Sequence, residues 1–476
     1  MAHPFRDLRE WINHLDREGE LLRLKEEVSL EPDVGAIAKA ICEMNKRGGK
    51  APGILAENIA GCDKKLAIGL DAAWDRTAMA FGLSKEASLK EQKEAWLKAY
   101  SRYPIKARIV TPKDAPCKEN ILQGNEVNLF KFPIPRLNTQ DAGPYLLKTL
   151  CITKDPESDW VNFGMYRAQV LDRNKTSIMT SHTSHWGEHY TKARRLGRPL
   201  EMVIALGIDP ILARVSGTRI PAEWNEFDFA GALRGEPVEI IKAESVDLPV
   251  PATAEIVLEG VLSLETNVYE GPFGEFTGAY SGMMVMPTFE IKTITHRNDP
   301  IFDHVYVGRG WTENVYMTLV SKIVALEQEL KHICPSITQI AYLQPYVENC
   351  VVQGRWLNKT EPRRVMNAVW ASQAVQQNKI VTVVDEDVDP WDAEDVMWAI
   401  STRCQANTDI VMIPGAHCRL DPSVEVDGTT CLLGIDATKS REPFPRHSVS
   451  AWIIPRKEMD GWKERIERCM EGGKRL

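Results

Sequence analysis

Two glutamates bracket a Gly-Pro-Phe-Gly turn in the segment EGPFGE (270–275), and an arginine closes the upstream segment WVNFGMYR (160–167). A turn of that kind could carry Glu270 and Glu275 into one pocket. Crowded carboxylates separate in pKa, so one keeps its proton and acts as an acid while the other pairs with a guanidinium. Two surface acids on a solvated turn would read the same way. Arg167 offers a planar fork that grips a carboxylate or phosphate at two points, and Asn162 offers an amide oxygen to a hard metal ion. The two differ in parity, so an ideal strand points them to opposite faces, and a bulge at Gly164 is needed to unite them.

Three histidines, His182, His185 and His189, fall within SHTSHWGEH. On a helix they would share one face, the geometry of a zinc hydrolase. Gly187 and the preceding Thr/Ser cluster argue instead for a strand end and loop carrying surface or hydrogen-bonded histidines. EWNEFD (223–228) reads as an acidic loop in which Glu226 is either a metal ligand or simply solvated.

The elements that must position these groups follow from periodicity. Phe5, Leu8, Trp11, Ile12 and Leu15 recur at helical spacing, as do Val34, Ile37, Ala38 and Ile41, with short strands at 54–59 and 66–70 between later helices. Ser88 and Glu91 form a capping box that opens a helix toward Tyr103. A proline-rich polar stretch from 104 to 143 ends in the turn QDAGPY. Strand patterns then dominate to about residue 310: 146–153, 161–171, 176–179 after a hairpin turn at 172–175, 202–208, 238–242, 256–264, 288–295 and 301–307. So many strands predict a barrel or a sandwich. A long helix at 313–333 leads to a second α/β region with helices at 361–375, 393–402 and 457–470.

Composition removes other classes. The 476 residues carry 58 Lys and Arg against 66 Asp and Glu, a net charge of −8 with no basic face for nucleic acid. The charged amino terminus lacks the apolar core of a signal peptide. The longest apolar runs, MVIAL and IVTVV, fall far short of the ~20 residues that span a bilayer. Ten cysteines contain no C-x-x-C pair, which predicts free or buried thiols in a reducing cytoplasm.

Taken in order, N-x-x-x-x-R, the histidine cluster, the E-F-D segment before LRGEPVE, PATAEIVLEG and EGPFGE resemble the UbiD-like decarboxylases, which act reversibly on aromatic and α,β-unsaturated acids with prenylated FMN. DLREWINHLDREGELLRL, DAGPY and VVDEDVDPWDAEDVMWAISTR carry the same resemblance, which spans essentially the whole chain. It implies an α/β (α+β) multidomain fold: an amino-terminal α/β domain (1–112), a flavin-reductase-like split β-barrel (113–312), a linker helix (313–335) and a carboxy-terminal α/β oligomerisation domain (336–476). It implies that Asn162, His185 and Glu226 ligate manganese or another divalent ion at the cofactor phosphate, with potassium or sodium on carbonyls near Phe163 and 216–218. Met165, Tyr166 and Arg167 would lie along the cofactor, as would Thr183, Ser184, His185, Trp186 and Gly187, and Lys359 would bind its phosphate.

The resemblance also implies a Glu270–Arg167–Glu275 network with Glu275 as the acid. Decarboxylation at an sp² carbon leaves an electron pair that no side chain can absorb, so a cofactor must carry it; in the family a covalent adduct with the prenylated flavin does so. The implied partners are a small aromatic acid and CO₂, a UbiX-like flavin prenyltransferase and further copies of the chain in a homodimer or a hexamer (a trimer of dimers). Hydroxybenzoates, heteroaromatic acids, polyprenyl-hydroxybenzoates and aryl-CoA acids all remain open as substrates, and Trp311, Thr312, Asn314 and Tyr316 are candidates for the pocket wall. A non-catalytic cofactor carrier of the same fold is the competing reading, although a carrier has no need of an acid.

Overall fold

The computed structural model describes residues 5–46, 49–179, 184–343, 348–418, 420–439 and 456–471. Helix Leu8–Arg17 forms as its spacing predicts. It buries Leu8, Trp11, Ile12 and Leu15, and the Asp7 carboxylate accepts the Glu10 amide at its start. Helix Asp33–Lys46 packs Val34, Ala38 and Ile41 into the core beside strands Leu21–Leu24, Gly53–Ala56 and Lys65–Ile68. The fourth strand of that sheet comes from far along the chain: Ile301–Asp303 pairs in parallel with Lys65–Ile68. Ser88 and Glu91 make the reciprocal capping box, and the helix it opens runs Leu89–Arg102.

The centre is one curled antiparallel sheet. Its spine is the long hairpin of Ile256–Glu270 with Met284–His296. Leu200–Leu206, Leu150–Lys154 and Val161–Gly164 extend it on one side, and Lys175–Ser177, Ala168–Asp172 and Tyr145–Leu146 on the other. Both faces are covered. Met202, Ile204 and Leu206 point into one apolar core, while Val203 and Ala205 point into another, beneath helices Leu89–Arg102 and Glu226–Arg234. An uninterrupted apolar run such as MVIAL is what a strand buried on both sides requires.

Helix Glu313–Lys331 leads out of this centre to a five-stranded sheet ordered Ile337–Tyr342, Asn349–Gly354, Ile380–Asp385, Thr430–Asp436, Ile410–Ala416. Its inner pairs are parallel and its outer pairs antiparallel. No helix among the described residues is long and apolar enough to cross a membrane.

A buried ion cluster joins these parts. Lys148 Nζ lies 2.7 Å from Asp71 and 2.8 Å from Asp303, and Arg214 reaches Asp71 at 2.9 Å. The Glu313 carboxylate accepts the amides of Asp71 (3.0 Å) and Tyr306 (3.2 Å). Burial alone would push the Lys148 ammonium down, but Asp303 and Asp71 outweigh it and hold the group above its ordinary value. Removing one partner of such a cluster strands the others in low dielectric. Lys148→Met should therefore cost ~3–5 kcal/mol in urea unfolding; a loss below about 1 kcal/mol, typical of an exposed pair, would show that the cluster does not hold the parts together.

Candidate active site and metal centre

Strand Val161–Gly164 leaves its ladder with Leu150–Lys154 after Gly164, and pairing resumes only at Ala168, against different neighbours. Met165, Tyr166 and Arg167 lie in the break. The parity conflict between Asn162 and Arg167 is thus resolved by ending one strand and beginning another. Gly164 permits the turn, since a Cβ there would stand 2.7 Å from the Tyr166 ring. Met165 N–H donates to the Ser216 carbonyl at 2.7 Å, which fixes the start of the break.

The Arg167 side chain is buried against two acids. Its Nε and Nη2 each lie 2.8 Å from Glu270 in a two-point pair, Nη1 bonds Glu275, and Nη2 also reaches Ser281 Oγ at 3.1 Å. The guanidinium carbon sits 4.6 Å from the Phe273 ring centre. Burial opposes its charge, but the bonds to Glu270 and the charge of Glu275 prevail and raise its pKa. The EGPFGE segment is braced from two sides. Gln169 Oε1 accepts the Gly271 amide at 3.1 Å, and Asp141, from the QDAGPY turn, accepts the Gly274 amide at 2.8 Å. A Cβ on Gly274 would meet the Asn138 amide at 2.5 Å. Glu270 and Glu275 are therefore gathered on one arginine and are not on a solvated turn.

Asn162, His185 and Glu226 converge next door. Asn162 Nδ2 donates to Glu226 and lies 3.3 Å from His185 Nδ1, and Phe163 N–H donates to Glu226 Oε2 at 3.3 Å. Two local readings need correction. His185 opens helix His185–Arg195, where a loop is expected, because Ser184 accepts the Gly187 amide as an N-cap. Glu226 likewise opens helix Glu226–Arg234, with Asn225 accepting the Phe227 and Asp228 amides. The polar clusters taken for loops are caps.

The donor set fits a cation. Asn162 Oδ1 and His185 Nε2 are buried without a hydrogen-bond partner among the described residues. Burial pushes the Glu226 carboxyl up to about 8 and, with the Arg219 charge, pushes the His185 imidazole down to about 4. Lone pairs left unspent beside a carboxyl that burial penalises are the chemistry of a site for a divalent ion with nitrogen and oxygen ligands. The zinc arrangement finds no support. His189 turns to Thr153 Oγ1 at 2.9 Å, His182 lies outside the described residues, and no three His, Cys, Asp or Glu among the described residues form a metal cluster. His185 and His189 both pack on the Trp160 ring, whose N–H bonds the Trp224 carbonyl at 3.1 Å.

Two adjoining cavities share Met165, Tyr166, Gly217, Lys322 and Leu420. One, of about 240 Å³, holds Asn162, His185, Glu226, Ser184 and Arg219. The other, of about 210 Å³, reaches Arg167 and Glu275 between apolar walls that include Leu147, Phe276, Val305 and Val307. Lys359 does not reach either cavity: it is exposed on the turn before helix Glu361–Ala371. The lysine that lines both is Lys322, which the sequence reading passed over; its signal is a lone cation in the apolar stripe of the linker helix. Trp186 is buried with its ring edge-on to Tyr166 at 5.6 Å, and neither it nor Gly187 lines either of these two cavities. Thr183 lies outside the described residues. Of the expected pocket residues only Asn314 lines the second cavity; Trp311 and Tyr316 pack on Trp74, and Thr312 Oγ1 donates to Asn314 Oδ1.

A curled sheet that presents a cation-receptive cavity beside a buried acid–arginine pair defines a cofactor-dependent enzyme. The chain belongs to the UbiD family of carboxy-lyases. The N-terminal, Rift-related and C-terminal domains of 3-octaprenyl-4-hydroxybenzoate carboxy-lyase match residues 12–96, 108–310 and 315–437. A phenolic acid decarboxylase of Bacillus subtilis (strain 168) is 35% identical, covering 98% of this chain and 99% of its own. The vanillic acid decarboxylase structure from Sedimentibacter hydroxybenzoicus in closed form superposes with a TM-score of 0.87 at 33% identity, over 98% of this chain and 99% of that one. The UbiD-class enzyme HmfF of Pelotomaculum thermopropionicum, in an evolved dimeric form in complex with prFMN, gives 0.79 at 29% identity, over 94% and 98%.

If Asn162, His185 and Glu226 form one metal shell, His185→Ala and Glu226→Ala should each lower bound manganese and cofactor together while the circular dichroism spectrum stays unchanged. Undiminished manganese and flavin in both variants, by elemental and absorbance measurement, would reject the shell.

Proposed function

We propose that this protein catalyses the reversible, non-oxidative decarboxylation of a small aromatic acid of the hydroxybenzoate type. The observation that carries the reading is the second cavity, where Glu275 and Arg167 meet an apolar chamber of about 210 Å³ beside the cation-receptive one. A single ring with a carboxylate fits that volume. The names of the phenolic and vanillic acid decarboxylases among its relatives support the same substrate class.

Prenylated FMN, when bound, supplies the electron sink that no side chain here can offer. Asn162, His185 and Glu226 would hold a divalent ion such as manganese for the cofactor, and Arg219 and Lys322 add positive charge to the same cavity. Carbonyls around Phe163 and 216–218 would hold potassium or sodium; the Ser216 carbonyl, which accepts the Met165 amide, has a second lone pair that could serve it. On the same reading a UbiX-like prenyltransferase supplies the cofactor, residues 336–476 pair copies of the chain into a dimer or a hexamer (a trimer of dimers), and the enzyme works in the cytoplasm.

The proton step follows from charge balance. One guanidinium between two buried carboxylates is neutral only with a single proton aboard. Glu270 gives both oxygens to the arginine fork, so Glu275, which lines the cavity, is the carboxyl placed to deliver that proton. Arg167 orients that acid and the substrate, and Glu275 protonates the ring carbon that has lost CO₂.

The direct test supplies prenylated FMN to the protein and assays CO₂ release from a panel of hydroxybenzoic and heteroaromatic acids. Release from a hydroxybenzoate is expected with the cofactor and not without it; full turnover by flavin-free protein would refute the reading. Glu275→Gln keeps size and most hydrogen bonds but donates no acid proton. It should retain cofactor while turnover falls by roughly 10²–10⁴, and exchange of the product's ring hydrogen with deuterated solvent should fall in step. Parent-like turnover and exchange in that variant would move the acid's role to Glu270.

A further inference from the structure

The break that delivers Arg167 is held by a side chain from the neighbouring strand. The ladder between Leu150–Lys154 and Val161–Gly164 ends at the pair Cys151↔Gly164. Its next registers would place Leu150 opposite Met165 and Thr149 opposite Tyr166. At that last position a hydroxyl stands in for a backbone partner. Thr149 Oγ1 accepts the Tyr166 amide at 3.0 Å and donates to the Tyr166 carbonyl at 2.6 Å, from a residue with no exposure to solvent. Among the described residues, the flanking main chain is held by main-chain groups, the Met165 amide by the Ser216 carbonyl and the Arg167 carbonyl by the Met179 amide at 3.1 Å. Thr149 is thus the side-chain tie on the three residues that carry the chain out of the ladder.

We propose that Thr149 is a positioning residue for Arg167: by binding both polar groups of Tyr166 through one hydroxyl, it sets the direction from which the guanidinium meets Glu275. The proposal rests on the assignment of Glu275 as the acid. Valine at 149 has the shape of threonine but leaves the Tyr166 amide and carbonyl without their partner, so the segment must shift to satisfy them. Arg167, the next residue, shifts with it and stands farther from Glu275. A carboxyl relieved of a neighbouring cation keeps its proton to higher pH. Because the acid works in its protonated form, the alkaline limb of the turnover profile then moves upward in pH while turnover itself falls through misalignment.

The experiment compares parent, Thr149→Val and Thr149→Ser as holoenzymes with measured cofactor content. Thr149→Val should bind cofactor, lose about 10- to 100-fold in kcat and move its alkaline limb up by about one pH unit. Thr149→Ser, which keeps the hydroxyl, should recover most of the turnover and the parental limb. Amide hydrogen exchange supplies a readout independent of the reaction, with Tyr166 protected in the parent and the serine variant and exchanging faster in the valine variant. Parental kcat, pH limb and Tyr166 protection in Thr149→Val would overturn the proposal, as would equal impairment of valine and serine, which would assign the effect to the methyl group. If the valine variant does not fold, Thr149→Cys replaces it, since a thiol keeps the volume but is a feeble partner, and parental behaviour there overturns the proposal equally. A parent holoenzyme that releases CO₂ from no acid would refute the decarboxylase reading, and Tyr166 exchange would still decide the role of Thr149.

Discussion

A guanidinium buried between two carboxylates is the constraint from which the site is built. Arg167 is taken out of water only because Glu270 meets it at two points, Glu275 at a third and Ser281 at a fourth. Each of those contacts comes from a part of the chain more than a hundred residues later. Such a cluster tolerates little error, because an unmatched charge in low dielectric costs several kcal/mol. The surroundings are accordingly fixed by the backbone: Gln169 and Asp141 pin the EGPFGE segment by its amides, and the curled sheet fixes both ends of the break that carries Arg167. The QDAGPY turn, conspicuous in the sequence only as a turn, is a brace for the acid loop.

The two polar centres share one piece of chain. Asn162 lies in the strand that ends at a three-residue break and Arg167 is the last residue of that break, so the cation-receptive cavity and the acid cavity have a common wall in Met165 and Tyr166. The linker helix closes the same wall from the far side, with Lys322 facing both cavities, and the buried Lys148–Asp71–Asp303–Glu313 cluster locks the start of that helix to the amino-terminal sheet.

What the sequence disclosed divides along local and non-local physics. The helix with Leu8, Trp11, Ile12 and Leu15, and the capping box at Ser88, were legible because their information lies within one or two turns. The strand at 200–206 was legible because burial on both faces leaves an unbroken apolar run. The helices that begin at His185 and Glu226 were not, since Ser184 and Asn225 stand in polar clusters that a cap and a loop use alike. The conflict of parity between Asn162 and Arg167 did announce the break, though as a bulge, because only the change of strand partners distinguishes the two. Lys322 left almost no trace. A single lysine in the stripe VYMTLVSKIVAL acquires meaning only when the helix is laid across the cavities, whereas Lys359 attracted attention through its neighbours and lies at the surface.

The return of strand Ile301–Asp303 to the amino-terminal sheet governs how the molecule can be assembled on the ribosome. Residues 5–102 contain three of that sheet's four strands, yet Lys65–Ile68 is left as a bare edge until the chain has grown past residue 303. An unpaired strand edge is a template for adhesion to other chains, so the emerging amino-terminal portion spends about two hundred residues of synthesis in its most vulnerable form, tens of seconds at ordinary elongation rates. Asp303, at the end of the incoming strand, then meets Lys148, and Glu313 follows to complete the ion cluster. Closing the sheet and neutralising the core are one late event, and an incomplete chain offers quality-control machinery both an open edge and an unmatched charge to detect.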